Sequence, residues 1–253
     1  MLNRQFPRRL WPHALLMMLA PALLACGKQG QEVNPSRFSA GWISEETEHF
    51  RVFDPPQSPR RAQLKPFAES CEDAYKDLSR LLNLKLDQKI SVYRFITNQD
   101  CEAATGHAAV FVEGYNVYTR IGSRVGGAIA EAAFTSVDPE APSFEMIRNG
   151  LREAFDSESD NMHRDAAQLR SKGRWLPLSA IINPGTVTDR EAYQLESASF
   201  VAYLIQTQGI ERFKMLWRSV LDLQGSLEKI YGGSLQEIEA DWIAHVEREA
   251  KRT

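Results

Sequence analysis

Cysteine and histidine are scarce in this chain, three and five of 253 residues. His13 lies near the start, and the remaining four, His49, His107, His163 and His245, include no two at helical ligand spacing. A helix that offers zinc two imidazoles from one face needs them four residues apart, so no metal and no cofactor is expected. A basic surplus is also lacking, since the net charge is −3. Residues 1–25 hold three of the 30 basic residues and none of the 33 acidic ones, which leaves 27 against 33, or −6, on the rest. That balance argues against a nucleic-acid partner. Past residue 25 no apolar run reaches membrane-spanning length, and there are no internal repeats or low-complexity tracts.

What is present begins with a leader. Arg4, Arg8 and Arg9 precede the apolar run Ala14 to Ala25, a basic segment and a hydrophobic segment too short to span a bilayer as a mature helix. This reads as a secretion signal over residues 1–25. Its end, Leu23-Leu24-Ala25-Cys26-Gly27, resembles the bacterial lipoprotein box, which implies that Cys26 becomes lipidated and N-terminal. Gly27 and Lys28 follow in place of the aspartate that retains such proteins at the inner membrane, so the resemblance implies outer-membrane attachment facing the periplasm. Any hold on the membrane is then through the lipid. Residues 26–41, with Gln, Asn, Ser and Pro, read as a tether, and residues 42–253 as one domain. Export leaves Cys71 and Cys101 as an even pair in an oxidising compartment, so a disulfide is expected. If helix 62–82 and strand 90–96 run antiparallel, both sulfurs reach the same level.

Strand patterns come first along the chain: His49 to Phe53, Ile90 to Ile96, and a hairpin of Ala109 to Val112 with Asn116 to Ile121 around Glu113-Gly114. One long helix, Ala62 to Leu82, falls among them. From Val125 the pattern is helical, near 125–136, 143–157, 190–208, 210–223 and 234–250, the last opening with the capping box Ser234-Leu235-Gln236-Glu237. Trp175-Leu176-Pro177-Leu178 reads as an apolar loop packed on the domain. The expected class is α+β, a small mixed or antiparallel sheet packed on helices and followed by a helical half.

The order "TEHFRVF", a long helix, "KISVYRFIT", a β-pair, two short helices with "NGLREAF", then "AYQLESASFVAYLIQTQG" and "GGSLQEIEADWIAHV" resembles the peptidase-MA-like, gluzincin-type domains of bacterial envelope proteins, over about residues 46 to 246. Tyr193, Ser197, Ser199, Phe200, Val201, Tyr203, Leu204 and Gly209 carry the family's later-helix pattern. Its zinc motif is not kept. The two histidine positions fall on Ala130 and Phe134, the ligand glutamate on Asn149, and the base on Glu131. A methyl, a phenyl and an amide cannot replace that ligand set. The resemblance thus implies a degenerate domain without metal, with a vestigial cleft at Glu131, Asn149, Glu153 and Tyr193. It implies a binding or scaffolding module whose partner is an envelope protein or peptide. The alternatives are a hydrolase of zinc-independent chemistry with Glu131 and Tyr193 as acid and base, and a structural protein whose cleft is filled. Asp156, Glu158, Asp160 and His163 form an acidic patch that reads as a solvated helix end.

Overall fold

The computed structural model describes residues 33–108, 110–139, 144–156 and 161–252, and a compact unit begins at Val33. Its sheet holds strands β1 (Ile43–Glu46), β2 (Phe50–Asp54), β3 (Ile90–Phe95), β4 (Phe111–Glu113) and β5 (Asn116–Arg120), in the order β1-β2-β3-β5-β4. The outer pairs β1/β2 and β4/β5 are antiparallel, and the inner pairs β2/β3 and β3/β5 are parallel. The helices are α1 (Leu64–Leu82), α2 (Asn98–Thr105), α3 (Gly126–Phe134), α4 (Glu145–Asp156), α5 (Met162–Ser171), α6 (Leu178–Ile181), α7 (Arg190–Tyr203), α8 (Ile210–Trp217), α9 (Leu223–Tyr231) and α10 (Leu235–Glu249). The class is the α+β arrangement expected, a mixed sheet followed by a helical half.

Side chains alternate across the sheet because successive residues of a strand point to opposite faces. Phe50, Val52, Ile90, Val92, Val112 and Val117 face the main core with α1 and α3. Tyr93, Phe95 and Tyr118 face the other way, into a small aromatic cluster that α2 covers through Cys101 and Ala104. α1 buries Leu64, Ala68, Cys71, Tyr75, Leu78 and Leu82, the i, i+4, i+7 stripe of a helix lying on a sheet. It ends at Asn83, whose φ of 47° is the left-handed turn that stops a helix.

This two-sided arrangement overturns the expected disulfide. Cys71 and Cys101 are both free and buried; Cys71 belongs to the main core and Cys101 to the aromatic cluster on the opposite face. The chain passes from β3 into α2 behind the sheet, so reaching the same level does not bring the sulfurs to the same side. Burial pushes the Cys71 thiol up to about 12.

Residues 33–41, read as the second part of the tether, belong to the folded unit. Val33 is buried, Asn34 caps a short 3-10 turn at Pro35–Arg37, and Phe38 packs on Trp42, Tyr93, Phe95 and Tyr118. α2 alone is too short to cover the aromatic face, and Phe38 with Trp42 completes it. Further along, the helix expected over 210–223 stops at Trp217, and a separate helix, α9, starts at Leu223, where the Asp222 side chain accepts from Gly225 N–H. The capping box at Ser234 forms as expected.

Candidate functional site

The polar face of α4 makes the site, and two glycines fix where that face lies. A Cβ on Gly127 of α3 would stand 2.1 Å from the Arg152 carbonyl oxygen, and one on Gly150 of α4 would stand 2.4 Å from the Ser197 carbonyl oxygen of α7. Only glycine permits such approaches, so α4 is clamped between α3 and α7. Its last residue, Asp156, accepts the Gly127 N–H at 2.8 Å and so caps α3. Arg148, Asn149, Arg152, Glu153 and Asp156 then lie along the side of α4 that turns toward β4 and α7. All of these but Arg148 bound a cavity of about 350 Å³, lined by Val110, Asn149, Arg152, Glu153, Asp156, Arg190, Tyr193 and Gln194.

Glu131 sits behind this cavity rather than in its wall. The residue is 3 % exposed, and its carboxylate is held between two arginines one helical turn apart. Arg148 donates through Nε to Oε1 and also reaches it with Nη2, while Arg152 Nε forms an ion pair with Oε2 at 3.3 Å. The same guanidinium groups bridge to the edge of the sheet, where Arg148 donates to the Val112 carbonyl and Arg152 to the Val110 carbonyl, each at 3.3 Å. Arg152 also donates to Asn149 Oδ1. Oε1 thus accepts from Arg148, while Oε2 is buried against Arg152 as an ion pair without a hydrogen bond.

The residues read as a vestigial cleft are therefore partly gathered. Asn149, Glu153 and Tyr193 share the cavity wall, and Glu131 joins them through Arg152. Ala130 and Phe134 do not: both are fully buried, and Phe134 packs edge-on to Phe213 and against Trp217 of α8. Burial raises the Tyr193 phenol, whose hydroxyl neighbours Asn149 and Ser197 without a hydrogen bond of good geometry. Burial and the adjoining Asp156 raise Glu153; burial raises Asp156, against the pull of the Gly127 N–H. Among the described residues no three His, Cys, Asp or Glu side chains are placed to hold a metal ion.

Of the acidic patch, Glu158 and Asp160 lie outside the described residues. His163 is buried rather than solvated. Its Nδ1 lies 3.0 Å from Ser199 Oγ and its Nε2 lies 3.4 Å from His245 Nε2, where α5, α7 and α10 meet. Arg148 and Arg152 went unread as a pair in the sequence, although their i, i+4 spacing on an amphipathic helix opposite a lone buried acid was the available signal. Glu196 was missed as well. Fully buried on α7, it accepts the Leu176 N–H with both oxygens at 3.1 and 3.2 Å, and burial raises its carboxyl to about 8. It anchors the apolar loop, whose Trp175 packs on Trp242.

Comparison with protein-family models and with curated proteins finds no match to this chain.

Proposed function

We propose that this chain is a lipid-anchored envelope protein carrying a degenerate gluzincin-like domain, a binding or scaffolding module with no peptidase chemistry. The observation that carries the reading is the arginine clamp on Glu131. A general base must present a lone pair to water or substrate, and both oxygens of this carboxylate are turned to Arg148 and Arg152. The positions at which the resemblance would place imidazoles hold the methyl of Ala130 and the ring of Phe134, both without access to the cavity. The hydrolase alternative needs Glu131 and Tyr193 open to one space, and the cavity reaches only Tyr193. What the cavity does offer is recognition chemistry, namely the Arg190 and Arg152 side chains beside the Glu153 carboxyl in a polar hollow.

Glu131→Gln tests the reading. A structural ion-pair acid should lower stability when neutralised, by about 1 to 2 kcal/mol because two partly exposed guanidinium groups lose their buried partner, which is a fall of roughly 2 to 8 °C in Tm for a unit of this size. An unchanged or raised Tm would instead mark a residue kept for chemistry at a cost in stability. Mass spectrometry of the purified protein tests the anchor, with an acylated N-terminal Cys26 expected and an unmodified Cys26 opposing it.

A further inference from the structure

We propose that the end of the domain formed by the C-termini of α1, α3 and α8 and by the β4/β5 turn docks on the surface of the bilayer that holds the anchor. The inference rests on the lipid-anchored reading above and deepens it.

Four large hydrophobic side chains lie exposed among the described residues: Leu81, Met215, Val220, at 89 % the most open, and Leu221. They are spread along the sequence but not along the fold. Leu81 is in the last turn of α1, and the carbonyl of Asn83 just beyond it accepts Lys214 Nζ at 2.9 Å. Lys214 is next to Met215 on α8. Arg218, which ends α8 and leads into Val220 and Leu221, donates to the Val137 carbonyl at 3.1 Å, past the end of α3. On the same stretch the Thr135 hydroxyl donates to the Gly114 carbonyl at 3.1 Å, in the β4/β5 turn. Glu113, beside that turn, accepts the backbone N–H of Val33 at 3.2 Å with each oxygen. An unbroken chain of contacts thus links the exposed apolar residues to the residue at which the polypeptide enters the folded unit.

That entry point decides the occupant. Val33 is seven residues beyond Cys26, and seven residues reach at most about 25 Å. Because residues 33–41 are folded onto the sheet, they add nothing to the leash. An acyl chain on Cys26 would keep this end, more than any other part of the domain, within reach of the headgroups. Four side chains also fall well short of the ~1,000 Å² that a stable protein–protein interface buries. They suit a surface contact that a lipid anchor already holds at high effective concentration. The turn Ser219-Val220-Leu221 would enter the interface first. Asp222, committed to capping α9, limits the depth.

The test uses the full-length, lipidated protein with Val220→Cys carrying a nitroxide label, reconstituted in phosphatidylethanolamine and phosphatidylglycerol vesicles. Cys71 and Cys101 are buried and escape the label. Flotation with the vesicles reports the anchor independently of the label. The expected result is a floating protein whose label collides with dissolved oxygen more readily than with an aqueous nickel complex, while a label at the exposed Lys172→Cys shows the reverse. Adding Met215→Asp and Leu221→Asp should return the Val220 label to water and leave flotation intact. A floating protein whose Val220 label is fully aqueous overturns the docking and spares the anchor; failure to float overturns both. Spin–spin broadening at Val220 that vanishes on dilution with unlabelled protein would mean a second copy covers the face, and overturns the inference too.

Discussion

Glu196→Gln separates a buried neutral acid from a buried charge. Among the described residues Glu196 has no counter-cation; it meets the Leu176 N–H and feels the nearby carboxylates Asp189 and Glu239. Burial therefore lifts its carboxyl from the ordinary 4.5 to about 8. Below pH 4.5 folded and unfolded chains both hold the proton, and the site carries no penalty. Between there and pH 8 the folded chain keeps a proton that the unfolded chain has released, so stability falls with rising pH by about 1.4 kcal/mol per pH unit. The loss accumulates to about 5 kcal/mol and stops near pH 8. Glutamine keeps an oxygen for Leu176 but has no such proton to lose. Its extra amide donors cost about 1 kcal/mol where they find no partner. The variant should be slightly less stable than the parent at pH 4.5, equal to it about one unit higher, and more stable by about 3 to 4 kcal/mol at pH 8.5. Urea unfolding at a series of pH values measures the difference directly. A difference that stays constant from pH 5 to 8.5 would refute the assignment and mean that water or an unseen partner keeps the carboxylate charged.

Gly127→Ala should destabilise by about 3 kcal/mol or more in urea or thermal unfolding, because its Cβ meets Arg152 backbone that cannot rotate away; a change under 1 kcal/mol would show that α3 and α4 can separate. Thiol titration of the denatured, unreduced protein should find both Cys71 and Cys101 reactive, and a disulfide between them would contradict the two-faced sheet. Burial holds His163 and His245 below the ordinary histidine value, with His163 further lowering His245. The stability these rings provide is thus present above about pH 6.5 and lost as pH falls. His245→Gln should flatten that acid slope between pH 7 and 5, and an unchanged slope would place the titration elsewhere.

Periodic and capped elements were the legible part of the fold. β2, β3 and β5 show β-rich alternation, α1 a clear apolar stripe, and α10 its capping box. β1 was hidden because Ile43-Ser44-Glu45-Glu46 is an edge strand with little to bury, its Glu46 being paired with Arg51 and Lys89. α5 and α9 are short, and the boundary before α9 rests on one aspartate cap. Asn149, Glu153 and Tyr193 were placed in one cleft by the family resemblance, and they line one cavity wall because α4 packs on α7. For the arginine clamp the i, i+4 spacing of Arg148 and Arg152 puts two charges on one helix face, but what they face is decided only when α3 packs on α4 at Gly127. The misplaced disulfide has the same origin, for chain spacing fixes height along an element and not which face of a sheet it covers.

The most direct measurement is the metal content and peptide cleavage of the purified natural protein, taken beside Glu131→Gln. The account predicts no stoichiometric zinc by elemental analysis, because Ala130, Phe134 and Asn149 offer no ligand set, and no cleavage of an unfolded polypeptide substrate by either protein, because Glu131 is committed to Arg148 and Arg152. Zinc near one equivalent, with cleavage that Glu131→Gln abolishes, would contradict it.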